Sequence, residues 1–299
     1  MFLRMMNSRS ERWPRVPLSV LTMVGQLLVS VPGVWGDSVG APSRRLETHS
    51  LKSPFQAADT SLRVLLPTEV EKDRRYPVLF ILPVHEDGQF KHGDGLAELQ
   101  KLNVPNQYQV ICVSPAFTSE PWYADHDLDS NKRDESHLLL TVIPFVEVHY
   151  PIMTEGSGRY LLGFSKSGRG AISLLLRHPD KFLRAAAWDP GIRIDVGPFG
   201  QGYNLEAHIR ERFGTRENFE NYRLSNLCRL SNDSFGRKAR LFYFNCEGVI
   251  RTMGGVRLHA LMVESGIPHR YVMESRRAHQ WGSGWMPEAI SFLFETNQD

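Results

Sequence analysis

Five short runs of this chain are apolar on both faces: YPVLFILPV (76–84), YQVICVSPAF (108–117), RYLLGFS (159–165), FLRAAAWDP (182–190) and ARLFYFNCEG (239–248). A strand that is apolar on both faces must be covered on both, which an antiparallel meander with one wet face cannot do. The segments between and after these runs read as helices: GLAELQKL (95–102), GRGAISLLLRHP (168–179), GVRLHALMVESG (255–266) and MPEAISFLFE (286–295). Two further strands, SLRVLLPT and HRYVMES, bracket the series. Alternation of this kind predicts one α/β domain, a mostly parallel central sheet flanked by helices. Ligands of such sheets bind at the carboxyl ends of the strands.

ESHLLLTVIPFVEVHY (135–150) also reads as helix, with Pro144 expected to kink or break it. Residues 191–237 are polar and mixed, with one helix near NLEAHIRERFG, and read as an insertion over the top of the sheet.

Of the 299 residues 41% are hydrophobic, enough for one well-buried core, and a net charge of +2 gives no reason to expect nucleic acid as a partner. The cysteines, Cys112, Cys228 and Cys246, have no zinc spacing and form no disulfide framework; the reading is of small buried hydrophobes. The first 36 residues carry Arg4, Arg9, Arg12 and Arg15 ahead of VPLSVLTMVGQLLVSVPGVWG, with small residues placed for a cut after Gly36. Basic, then apolar, then small is the pattern of an export signal; the alternative is an uncleaved anchor. The expected organisation is therefore a signal peptide over 1–36, a linker over 37–48 and one domain over 49–299. The mature protein is expected to be secreted or periplasmic, with no other stable membrane insertion.

Gly163-Phe164-Ser165-Lys166-Ser167 is nearly G-x-S-x-G and lies where a buried strand passes directly into a helix. A nucleophile elbow needs small flanking residues there because strand and helix come very close. Here Ser167 stands where glycine is usual. The helix N-terminus also points at Ser165, favouring negative charge. A serine nucleophile needs a base later in the chain, after the last strand, and RRAHQWGSGW supplies His279 there. His178, His259 and His269 sit at a helix end, inside a helix and at a strand start, which suits structural roles.

PWYADHDLDSNKRDES (121–136) also follows a buried strand. Trp122 and Tyr123 are candidates for stacking on a sugar or aromatic group, Asp125 and His126 for binding its polar substituents; a solvated loop with an aromatic packing plug is the other reading. The alternating Asp125, Asp127 and Asp129 lack the glycine and distal glutamate of an EF-hand loop, so no metal is expected.

On YPVLFILPV, GFSKSGRGA and ESGIPHRYVMESRRAHQWGSGWMPEAISFLF the chain resembles an esterase branch of the α/β-hydrolases. That branch includes esterase D and S-formylglutathione hydrolases, mycolyltransferases, and feruloyl and acetylxylan esterases. The resemblance covers roughly residues 50 to 299. It implies the α/β-hydrolase fold, a Ser-His-acid triad, and an oxyanion hole made by the N–H of Lys166 with that of Val84 or His85. Trp281, in the family's histidine-x-tryptophan, is a further candidate at the substrate.

Two departures stand out. The family's His-Gly at the oxyanion loop is Pro83-Val84-His85 here. Its aspartate beyond the strand ARLFYFN is missing, leaving Glu247 there and Asp189 at the end of the preceding strand. Asp189, whose short side chain suits a sharp corner before a proline, is favoured. The expectation is an exported serine esterase without metal or organic cofactor, acting on small-molecule or polysaccharide-linked acetyl or feruloyl esters. Its rivals are a silent binding module for glycans or proteins, and an acyltransferase using the same residues.

Overall fold

A computed structural model describes residues 45–197, 202–230, 235–236, 238–245, 248–273 and 277–295. The signal-peptide reading, Cys246 and Glu247 lie outside the described residues.

Eight strands form one sheet: β1 (Arg45–Leu51), β2 (Thr60–Leu66), β3 (Val78–Leu82), β4 (Ile111–Pro115), β5 (Arg159–Phe164), β6 (Arg184–Trp188), β7 (Leu241–Asn245) and β8 (His269–Met273). Their order is β1-β2-β4-β3-β5-β6-β7-β8. The β1/β2 and β2/β4 pairs are antiparallel, and every other pair is parallel. The helices are α1 (Gly95–Lys101), α2 (Val104–Tyr108), α3 (Asp134–His137), α4 (Ile143–His149), α5 (Lys166–Arg177), α6 (Arg193–Val196), α7 (Leu205–Arg212), α8 (Arg216–Tyr222), α9 (Leu224–Leu230), α10 (Val249–Glu264) and α11 (Met286–Phe294).

The two-faced strands do what their composition requires. Successive side chains of a strand point to opposite faces. Along β3, Val78, Phe80 and Leu82 enter one core cluster while Leu79 and Ile81 enter another across the sheet. Cys112 on β4 and Cys228 on α9 are buried free thiols, as their apolar surroundings suggest.

Three local features differ from expectation or refine it. Strand β1 begins at Arg45, inside the stretch read as a linker, and pairs from Arg45↔Leu66 to Leu51↔Thr60. Its polar sequence RLETHSL suits a largely exposed edge and carries no two-faced apolar signature. Pro144 does not break its helix. A π-helical turn over Leu138–Val142 joins α3 to α4, and the Ile143 N–H donates to Leu138 O, so the chain absorbs the missing proline donor by widening one turn.

The insertion between β6 and β7 has its own small core of Ile194, Ile209, Phe213, Phe219 and Tyr222, joined by Trp122 and Ala124. A fully buried pair ties it to α5. Arg169 donates from Nε and Nη2 to Asp195 at 2.9 Å each, and Asp195 also accepts from the Leu224 N–H at 2.8 Å. Removing one member of such a pair typically costs about 3–5 kcal/mol, because the other charge is left buried alone.

Register then positions the chemistry. Leu82 pairs with Gly163, Phe164 with Trp188, and Trp188 with Phe244. The residues that leave the sheet next to one another are therefore Pro83, Ser165 and Asp189, on strands roughly 5 Å apart.

Candidate active site

The corner at Ser165 is built by its neighbours. Gly163 is obligatory there: a Cβ at this position would lie 2.2 Å from Ser167 O. Ser167, fully buried, takes the position expected for glycine by closing the turn. Its hydroxyl accepts from the Phe164 N–H at 2.9 Å and donates to Phe164 O at 2.8 Å. Ser165 itself sits at φ 54°, ψ −124°, a conformation that L residues avoid and that costs of order 1–3 kcal/mol. Three backbone bonds hold it, from Ser165 N–H to Trp188 O at 2.9 Å and to Ser165 O from the N–H groups of Gly191 at 2.8 Å and Arg169 at 3.1 Å. None of this uses the Ser165 side chain, which stands half-buried at the N-terminus of α5. Lys166 opens that helix, so its backbone N–H is one of the donors without an intrahelical acceptor.

Asp189 turns the next strand end with φ 42° and is anchored by its N–H on Phe244 O at 2.7 Å. Its buried carboxylate accepts from Nδ1 of His279 through Oδ2. With Nδ1 donating there, Nε2 is the acceptor nitrogen of the neutral ring. The His279 ring lies over Phe164, centroids 4.5 Å apart, and edge-on to His92 at 5.3 Å. Its loop is fastened where the Trp281 N–H donates to His92 O at 3.0 Å.

His92 escaped the sequence reading. The available signal was the pair His92-Gly93, seven residues beyond His85. The His85 ring stacks on His92 at 5.5 Å, and its Nδ1 is 3.7 Å from Glu120. Val84 is buried and His85 half-buried, and both follow β3 beside the elbow. Glu120 also pairs with Lys166 Nζ and, at 3.1 Å, with Arg212 of α7. Burial opposes its ionisation, but Lys166 and Arg212 hold its carboxyl below the usual range.

The loop candidates take different places. Tyr123 is fully buried, packs on Phe117, and donates from its hydroxyl to Pro83 O at 2.5 Å. Asp125 accepts from the Ser136 N–H at 2.9 Å and from its hydroxyl at 2.5 Å, so it ties down the first turn of α3. His126 is buried, donating to Arg210 O at 3.2 Å and accepting from the Leu128 N–H at 3.2 Å. Trp281 is buried against Phe164 and Trp285. In the structure the polar groups of Tyr123, Asp125 and His126 bond inside the fold, and Trp281 packs on aromatic rings while lining the cavity beside His85 and His92. Trp122 is buried too, edge-on to His208 at 4.6 Å, in a wall shared with Glu120 and Arg212.

A model of the family described as "Putative esterase" matches residues 56–226. Solved structures share the fold. One is a ferulic acid esterase, 19% identical, covering 84% of this chain and 96% of its own with a TM-score of 0.65. Another is an S-formylglutathione hydrolase from Agrobacterium tumefaciens, 14% identical, covering 85% and 96% at 0.68. A third is FphF, a fluorophosphonate-binding serine hydrolase of Staphylococcus aureus, 14% identical, covering 85% and 99% at 0.66.

Proposed function

Because the chain belongs to this esterase family and is a carboxylic ester hydrolase, we propose that it works through Ser165, His279 and Asp189. The observation that carries the reading is the buried Asp189 carboxylate on Nδ1 of His279, one strand away from a serine held in a strained corner at a helix N-terminus. Ser165 Oγ attacks the ester carbonyl while His279 Nε2 takes its proton, and Asp189 stabilises the imidazolium. The oxyanion is met by the Lys166 N–H and one from the Val84–His85 segment. His279 then returns the proton to the leaving alcohol, and water resolves the acyl-enzyme by the same route.

Export to the periplasm or outside the cell fits the leader reading of residues 1–36, and acetyl or feruloyl esters on polysaccharide fit the ferulic acid esterase among the neighbours. Turnover of 4-nitrophenyl acetate and labelling by a fluorophosphonate probe test the site together. Ser165→Ala is expected to lose both. Wild-type protein that neither turns over nor labels is a binding module instead.

A further inference from the structure

Beside the elbow, several buried nitrogen atoms have no hydrogen-bond partner among the described residues: Trp122 Nε1, Arg212 Nε, His208 Nε2 and His85 Nε2. Three of these residues, His85, Arg212 and Trp122, lie at Glu120, and His208 adjoins them through Trp122. His85 and Arg212 contact its carboxylate, His208 packs on Trp122, and Glu120, Trp122 and Arg212 line one cavity of about 150 Å³ together with Lys132, Glu211 and Asp134, whose Oδ1 is an acceptor without a partner among the described residues. Trp122 Nε1 and Arg212 Nε can only donate. Buried donors left without acceptors forfeit their hydration with nothing in return. Their concentration at one place beside a reacting centre, in a residue as buried as Trp122, 7% exposed, points to a ligand that brings acceptor atoms.

The protein shows which acceptor suits the place. Glu120 sits there as a carboxylate between Lys166 and Arg212, with its ionised form favoured despite burial. Lys166 is the residue after the serine, so this carboxylate lies next to the ester-binding groups. Glu120 itself comes from the irregular loop after β4, and its side chain is 28% exposed. A side chain on a loop can turn out to solvent more readily than one on a strand. The remaining carboxylate on Arg212, Glu211 at 3.2 Å, is largely exposed and contributes little.

We propose that this cluster, building on the serine-esterase reading, selects esters that carry a carboxylate. Arg212 and Lys166 supply the counter-charge, Trp122 Nε1 a further donor, and Glu120 is the internal carboxylate that the substrate's group displaces. Arg212 has the geometry for this, since Nε and Nη2 together form the fork that matches a carboxylate.

Two matched pairs that exchange a methyl for a carboxylate test it: ethyl pentanoate against monoethyl glutarate, and 4-methylphenyl acetate against 4-acetoxybenzoate. The first places the charge on the acyl side, the second on the alcohol side. In at least one pair Arg212→Gln is expected to lower kcat/KM for the carboxylate member about tenfold or more, and for the methyl member less than about twofold. Arg212→Lys should recover part of the loss. Glu120→Gln should raise kcat/KM for the carboxylate member several-fold, through KM, by removing the competing anion. Equal effects on both members in both pairs overturn the proposal and leave the esterase reading intact. Calorimetric binding of monoethyl glutarate and 4-acetoxybenzoate to Ser165→Ala protein, with and without Arg212→Gln, gives a readout independent of turnover. Arg212-dependent binding without any wild-type turnover supports the selectivity site and removes the esterase reading. No Arg212-dependent binding of either compound overturns the proposal.

Discussion

The corner at Ser165 and the corner at Tyr123 look alike in outline. Both lie at the carboxyl ends of the sheet, both are rich in polar and aromatic residues, and both turn on a non-glycine residue in the left-handed region, φ 54° and φ 57°. They differ in what the side chains are used for. At the first, backbone bonds and the Ser167 hydroxyl close the turn without using the Ser165 hydroxyl. At the second, Asp134 accepts the Trp122 and Tyr123 N–H groups, and Tyr123, Asp125 and His126 spend their polar atoms on nearby backbone and on Ser136. A polar side chain at a strand end is left over for chemistry only where it is not itself spent on closing the turn. Elsewhere the same residue types are internal scaffolding.

The sharpest break of this comparison is at Ser165 and His279. Either alanine variant is expected to lose at least about 10⁴-fold in kcat while remaining folded. The double variant should be no worse than about twofold beyond the singles, since the two act as one unit. Losses that multiply would disprove the pairing. Next is the acid. Asp189→Asn should keep the fold and cut kcat by up to about 10⁴-fold, because the imidazole then settles in the wrong tautomer. Glu247→Gln should be mild; the reverse pattern moves the acid to the strand end after β7.

At the second corner the effects fall on stability instead. His137, fully buried, bonds Ser53 through Nδ1 at 2.9 Å, and burial pushes its pKa down to about 4. The folded state thus favours the neutral ring. Its contribution is complete above pH 6.5 and is lost as pH falls from there toward 4, on the order of 3 kcal/mol in all. Asp134 runs the other way: burial raises its pKa to about 7, so its contribution is lost as pH rises through 7. Urea titrations of wild type and His137→Gln from pH 7 to 4 separate the two, and parallel pH curves would remove His137 as the sensitive group. The smallest effects belong to Tyr123→Phe and Asp125→Ala, each expected to cost about 1 kcal/mol of stability with activity per folded molecule within a few-fold of wild type. A hundredfold loss of activity in either, with stability unchanged, would return that loop to the substrate.

Sequence alone determined the sheet, the covering helices, the elbow at Ser165 and the loop carrying His279. These rest on local physics: two-faced apolar runs cannot stay wet, and a strand passing straight into a helix tolerates only small residues at the joint. The edge strand β1 was not legible, because a strand with few buried side chains carries little hydrophobic pattern. The role of Ser167 and the internal employment of Tyr123, Asp125, His126 and Trp281 were not legible either, since a residue type states what it can bond to and not which partner the fold brings. The contact between Asp189 and His279 shows the division most clearly. Two carboxylates stood at neighbouring strand ends in the sequence. The pairing of Phe164 with Trp188, a contact between segments far apart in the chain, set Asp189 beside the serine and onto His279. Strand register is decided by packing across the whole sheet, so only the tertiary structure could supply it.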